Sequence, residues 1–169
     1  MAKFEMHGMD EYIRQLENVA WATSDVCKAA VYAGAGVVAD EIKAEMHALK
    51  TVDDKSAFSA WQKREPIYLT DSQKEGLIEG FGIAPIADNM GAYDTKIGFD
   101  GYNKVKTRRW PKGQPNALIA RACNSGSTAM LKQPFIRRAV NRVRPRVIPA
   151  MEKAADKKIK EVIGGTQNG

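Results

Sequence analysis

Apolar and polar positions alternate with period two at two places in the chain. Over Lys3–His7, Phe4 and Met6 share one side; over Tyr93–Phe99, Tyr93, Thr95, Ile97 and Phe99 alternate with Asp94, Lys96 and Gly98. A period of two belongs to a half-buried strand, so both stretches are predicted as strands, the first ended by Gly8. Elsewhere the apolar positions recur at helical spacing. Tyr12, Ile13 and Leu16 follow Asp10, whose carboxylate suits the unpaired N–H groups of a first helical turn. A longer helix is predicted from about Ser24 to Leu49, on the stripe Val26, Ala30, Ala33, Val37, Val38, Ile42 and Leu49. Its middle, AAVYAGAGVVA, is built of small residues that would let another backbone come close.

Residues 50–70 carry no sustained period, and they mix charges with Trp61, Pro66 and Tyr68. They are predicted as a long loop, with Trp61 and Tyr68, and Trp110 further on, as candidate partner contacts; long loops in compact domains are often functional. Thr70 with Gln73 forms a capping-box signature, with Ser72 and Glu75 as a second register, for a short helix reaching Phe81 and ended by Gly82. Asp100-Gly101 is a turn signal, but the charged YNKVKTRR that follows argues against a partner strand. Pro115–Cys123 is predicted as a helix ended by Asn124, Ser125 and Gly126, and Pro134 starts another with Phe135, Ile136, Ala139, Val140 and Val143. Pro145 and Pro149 are expected to break or kink the chain, since proline lacks an N–H and clashes with the preceding turn, and a last helix carries Ile148, Met151, Ala155, Ile159 and Val162 on one stripe and Lys/Arg on the other. The pattern predicts an α+β fold: a small antiparallel sheet packed with several helices, including a long second helix and a charged C-terminal one. It forms one domain over residues 1–163, with 164–169 as a frayed tail.

Charge changes this picture. The net charge of +6 hides a division: residues 1–102 hold 10 Lys/Arg and 17 Asp/Glu, while residues 103–169 hold 16 and 3. Three arrangements suit such a split: head-to-tail contact between copies, a basic face turned to a polyanion, or mutual neutralisation within one subunit. The basic residues concentrate in two places. Lys104, Lys106, Arg108, Arg109 and Lys112 surround Tyr102 and Trp110, and Arg137, Arg138, Arg142, Arg144 and Arg146 follow Pro134. Cations interleaved with aromatics suit phosphate contact and base stacking. No helix-turn-helix, zinc-finger or RNA-recognition signature accompanies them, so sequence-specific binding is not expected.

Catalytic chemistry finds little support. His7 and His47 lack companions at metal-ligand spacing, and Cys27 and Cys123 fit neither a disulfide framework nor a zinc site. Asp40, Glu41 and Glu45 are expected to form a solvated helix face rather than an acid–base pair. Gly34-Ala-Gly36 lies inside a helical pattern and lacks a third glycine, so it is not a dinucleotide fingerprint. Ser125 and Ser127 sit in no nucleophile elbow. The apolar run Ala29–Ala39 covers about half of the ~20 residues a membrane helix needs, and the N-terminus lacks the basic-then-apolar order of a signal peptide. The expectation is a cytosolically folded, non-enzymatic protein without metal, cofactor or membrane contact.

Five short words stand in order along the chain: SQKEGL at Ser72–Leu77, GFGIA at Gly80–Ala84, KIGFDGYN at Lys96–Asn103, GQPNALIAR at Gly113–Arg121 and PFIRRAV at Pro134–Val140. Together they span most of residues 71–144, and their colinearity resembles the small tail-completion proteins (neck, or minor tail components) of long-tailed bacteriophages and prophages. The chain departs from that family's pattern at Asn124, where the family has Glu, at Arg138, where it has Pro, and at the two prolines interrupting the C-terminal helix. The resemblance implies a virion structural protein, assembled in the bacterial host cytoplasm into a homo-oligomeric ring, a hexamer by analogy. Such a ring completes the tail and supports head–tail joining, with tail-tube and head-connector proteins as neighbours. Lys104, Lys106, Arg108, Arg109, Lys112, Arg137, Arg138 and Arg142 are then candidates for lining the DNA passage, by non-specific contact, or for subunit contact. A stand-alone basic nucleic-acid-binding protein is the alternative.

Overall fold

A computed structural model of the chain describes residues 9–164, with side chains from Tyr12 onward except Trp61. The strand expected over Lys3–His7 and the tail after Gly164 lie outside the described residues, as does the Asp10 side chain. The first helix, α1, spans Met9–Trp21 and the second, α2, Thr23–His47. Only Ala22 separates them. It holds right-handed helical angles, φ −83° and ψ 0°, and the hydrogen-bond ladder continues through it: Ala22 N–H donates to Asn18 O and Val26 N–H to Ala22 O, both at 3.0 Å.

Residues 50–70 are not a loop. They contain a two-residue strand β1 (Thr51–Val52), a helix α3 (Asp54–Lys63) and a second short strand β2 (Leu69–Thr70) pairing parallel with β1. Asp53 makes the helix: its carboxylate accepts from the N–H groups of Lys55 and Ser56 and from the Ser56 hydroxyl. Most of α3 is solvent-facing, and its apolar positions are only Ala57, Phe58, Ala60 and Trp61, a single short run that periodicity over the longer segment does not single out. The Thr70–Gln73 capping box is formed in both directions and starts α4 (Asp71–Glu79). That helix ends at Gly80, two residues earlier than expected, because Phe81 is needed in a strand.

The expected strand at 93–99 is two strands. β3 (Phe81–Ile83) pairs antiparallel with β6 (Ile97–Phe99), and between them β4 (Ala87–Asn89) and β5 (Ala92–Asp94) form a separate hairpin. Its two-residue turn is Met90-Gly91, both at positive φ, the geometry that matches strand twist. The fold is α+β, with the sheet divided into three two-stranded pieces, of which β1–β2 is parallel. Helix α5 spans Asn116–Ser125 and α6 runs unbroken from Phe135 to Gly164.

Pro145 and Pro149 lie inside α6 without ending it. Four residues apart, they share one helix face, and both are exposed. Carbonyls left without an N–H there can turn to water, while the opposite face packs along α2. The two long helices run antiparallel: Gly34 of α2 meets Met151 and Val147, whereas Glu45 meets Arg138. A Cβ on Gly34 would sit 2.8 Å from Met151 Cγ, so the small-residue middle of α2 does admit a close neighbour. Beyond this contact, Ile42, Met46 and Leu49 join Leu69, Leu77, Ile119, Cys123, Phe135 and Ala139 in the main core.

Candidate functional site

The segment 103–114 projects between β6 and α5 as a tongue. Its two limbs are hydrogen-bonded to each other despite their charge. Asn103 N–H donates to Gln114 O and Gln114 N–H to Val105 O, both at 3.0 Å, and Thr107 and Trp110 exchange N–H···O bonds of 3.1 and 3.0 Å. Arg108 and Arg109 form the tip. As the charged sequence implies, YNKVKTRR forms no strand, and β6 pairs with β3 instead; the segment is held by these backbone bonds to residues 110–114.

The base of the tongue is a buried polar junction. Asn103 and Asn116 are 4% and 2% exposed. Asn103 Oδ1 accepts from Val105 N–H at 2.9 Å, and Asn116 Nδ2 donates to Asp100 O at 2.8 Å. Gln73, held by the capping box, reaches across to Gln114, Nε2 to Oε1 at 2.9 Å. Glycine is required on both sides of this junction. A Cβ on Gly76 would overlap the Asn103 side chain, and one on Gly80 would overlap Asp100 O and Asn116 Nδ2. Gly113, at φ +115°, is in a region closed to other residues and would drive a Cβ into Asn103 O. Asn103 Nδ2 and Asn116 Oδ1, a donor and an acceptor, have no protein partner in this junction.

Lys104, Lys106, Arg108, Arg109 and Lys112 are all exposed, and among the described residues none forms an ion pair. The Arg109 guanidinium carbon lies 5.7 Å from the centroid of the half-buried Trp110 ring. The second basic group behaves differently. Arg138 Nε binds Glu45 Oε2 at 2.8 Å, Arg142 Nη1 binds Glu41 Oε1 at 2.6 Å and Glu45 Oε1 at 2.8 Å, and Arg146 Nη2 binds Glu41 Oε2 at 2.8 Å. Arg138 and Arg142 are thus accounted for within the subunit, and neutralisation of the two halves is real along α2 and α6. The expected solvated acidic face is corrected too: Glu45 is 7% exposed and paired. The hydrogen bond from Arg142 holds the Glu41 carboxyl below its ordinary range. Arg137 stays exposed, beside Lys132, Asn124 and Ser125 around a depression of about 450 Å³.

The partner-contact residues separate similarly. Tyr68 is half-buried under the Lys50 amine, 5.8 Å from its ring centroid. Trp61 lies on α3 with its side chain outside the described residues. Cys123 is buried, and its thiol is pushed up to about 11 by desolvation, with Arg138 pulling the other way. Among the described residues no group of three or more His, Cys, Asp or Glu could hold a metal ion, and no helix is long and apolar enough to cross a membrane.

Two features escaped sequence reasoning. The Arg138, Arg142, Arg146 spacing of four against Glu41 and Glu45 was a visible signal for paired helix faces. The junction residues were visible only as the short words SQKEGL, GYN and GQPN, with no local sign that they meet. Comparison with protein-family models, curated proteins and solved structures finds no match.

Proposed function

We propose that this chain is a non-enzymatic structural component of a phage or prophage tail, forming a homo-oligomeric ring at the neck that completes the tail and supports head–tail joining. The tongue carries the proposal. Five cations that form no ion pair among the described residues stand on a hairpin whose base is fixed by buried amides and glycines, so the charge is held at a set place rather than spread over a mobile tail. In a ring, such a tongue suits a DNA passage: it screens phosphate without reading bases. Neighbours of this ring would be tail-tube and head-connector proteins, and its setting the virion.

The same tongue also suits a stand-alone nucleic-acid binder, and solution mass separates the two. Light scattering after size exclusion, at low and high salt, is expected to show a ring or a concentration-dependent approach to one. A monomer at all concentrations that retards DNA would favour the binder. In either case Arg108→Glu with Arg109→Glu should lower the slope of log affinity for duplex DNA against log salt by about two, without lowering the melting temperature. An unchanged slope would remove the tongue from DNA contact.

A further inference from the structure

Helix α6 sorts its cations by face. Arg138, Arg142 and Arg146 turn to Glu41 and Glu45 of α2, whereas Arg137, Asn141 and Arg144 share the neighbouring exposed face. Arg137 and Arg144 form no ion pair among the described residues. Arg137 and Lys132 line the depression of about 450 Å³ at the start of this helix, together with Asn124, Ser125 and Asn141. Arg138 adds to the wall, with its Nε on Glu45. No carboxylate lines this depression, and Pro134 is its one apolar wall residue.

Helix α5 joins the depression to the tongue. Gly113 and Gln114 lead into one end of it, and Asn124 and Ser125 stand at the other. Ala117, Arg121 and Ser125, spaced by four, share a face, and all three are exposed. Arg121 also forms no ion pair among the described residues. With 10 residues α5 is about 15 Å long. That length matches about four phosphates of one duplex strand, at ~3.4 Å of axis each. From Asn103 to Met151 the sequence holds no Asp or Glu. Carboxylates border this track only from other elements: Glu65 shares a groove with Leu118, and Asp100 precedes the tongue, where its Oδ1 accepts from Gly101 N–H.

We propose that the depression is a phosphate site, and that a nucleic-acid backbone runs from the tongue past Arg121 into it. This contact continues the one put forward for the tongue and rests on it. Amine, guanidinium, amide and hydroxyl groups around a concave site offer donors to an oxygen-rich anion and almost nothing to an apolar ligand. The acidic half of a second copy is the competing occupant. Several of its acids are already engaged: Glu41 and Glu45 hold arginines, and Asp53, Asp88 and Asp100 accept backbone N–H bonds in their own turns. A duplex backbone instead carries its charge at every step along the track.

Salt titration of duplex DNA binding by fluorescence anisotropy, on the full chain, tests it. Lys132→Gln with Arg137→Gln is expected to lower the slope of log affinity against log salt by about two per bound subunit, and Arg121→Gln by about one. All three side chains are exposed, so the melting temperature should hold. Lys153→Gln with Lys160→Gln removes the same charge from exposed positions further along α6, where Glu152, Asp156 and Glu161 stand among the lysines, and should leave the slope unchanged. An equal drop in that control pair would make the effect one of net charge and overturn the site. An unchanged slope for the Lys132–Arg137 pair, beside a fall for the Arg108–Arg109 pair, would overturn the depression and confine the contact to the tongue. Unchanged slope with weakened self-association would give the depression to a second copy instead. A wild-type chain that binds no duplex DNA at low salt would overturn the tongue contact as well.

Discussion

Gly76 and Gly36 should respond to alanine with opposite signs. At Gly36, inside α2, an added Cβ meets nothing within 4 Å, so Gly36→Ala should gain about 0.5–1 kcal/mol of stability from helix propensity. At Gly76 the Cβ overlaps Asn103, and Gly76→Ala should cost about 1–3 kcal/mol, measured by chemical denaturation. The same residue-scale reasoning covers the cysteines. A thiol reagent should label half-buried Cys27 well before buried Cys123. The Cys123 thiol keeps its proton in the folded chain up to about 11, against an ordinary 9.0. Its preference for the folded state is complete below 9.0 and is lost as pH rises through 11, because only the unfolded thiol ionises in between. The denaturation midpoint should fall across that window, and less so in Cys123→Ala. None of these contrasts could be assigned beforehand, since Gly34, Gly36, Gly76 and Gly80 look alike until their neighbours are known.

Between α2 and α6, ion pairs accompany the apolar seam. Removing Glu45 would cost ~3–5 kcal/mol if every partner were buried. The Arg138 and Arg142 side chains are 46% and 59% exposed, and water screens much of that, so Glu45→Ala should cost about 1–2 kcal/mol. Glu41 supplies a pH dependence of definite sign. Its carboxyl is lowered from 4.5, first by the Arg142 hydrogen bond and then by Arg146, against some desolvation. The resulting stability is complete above 4.5 and disappears as pH falls through the lowered value. Glu41→Gln should therefore flatten the acid limb of a stability–pH curve. At this scale much of the fold was legible: α2, the Thr70 cap, the helix after Pro115 and the start after Pro134 all follow from local periodicity and caps. What was not legible depended on partners. Helix α3 shows only a short apolar run, and α6 continues through its two prolines with its other face packed along α2.

For the whole molecule, the site was half visible. Lys104 to Lys112 stood out as a charge cluster, yet whether its cations were free or paired depended on where every acid of the first half came to lie. Glu41 and Glu45 of α2 met Arg138, Arg142 and Arg146, and the tongue cations met none among the described residues. The tongue and its socket also imply an uneven tolerance to inherited change. Lys104, Lys106, Arg108, Arg109 and Lys112 are exposed, whereas Gly76, Gly80, Asn103, Gly113 and Asn116 share one crowded junction. In a saturation-mutagenesis library, the tip should accept new charges and inserted residues, while the socket rejects nearly all alternatives. A lineage of such chains can then lengthen, shorten or recharge the tongue to suit a new neighbour without disturbing the frame that presents it.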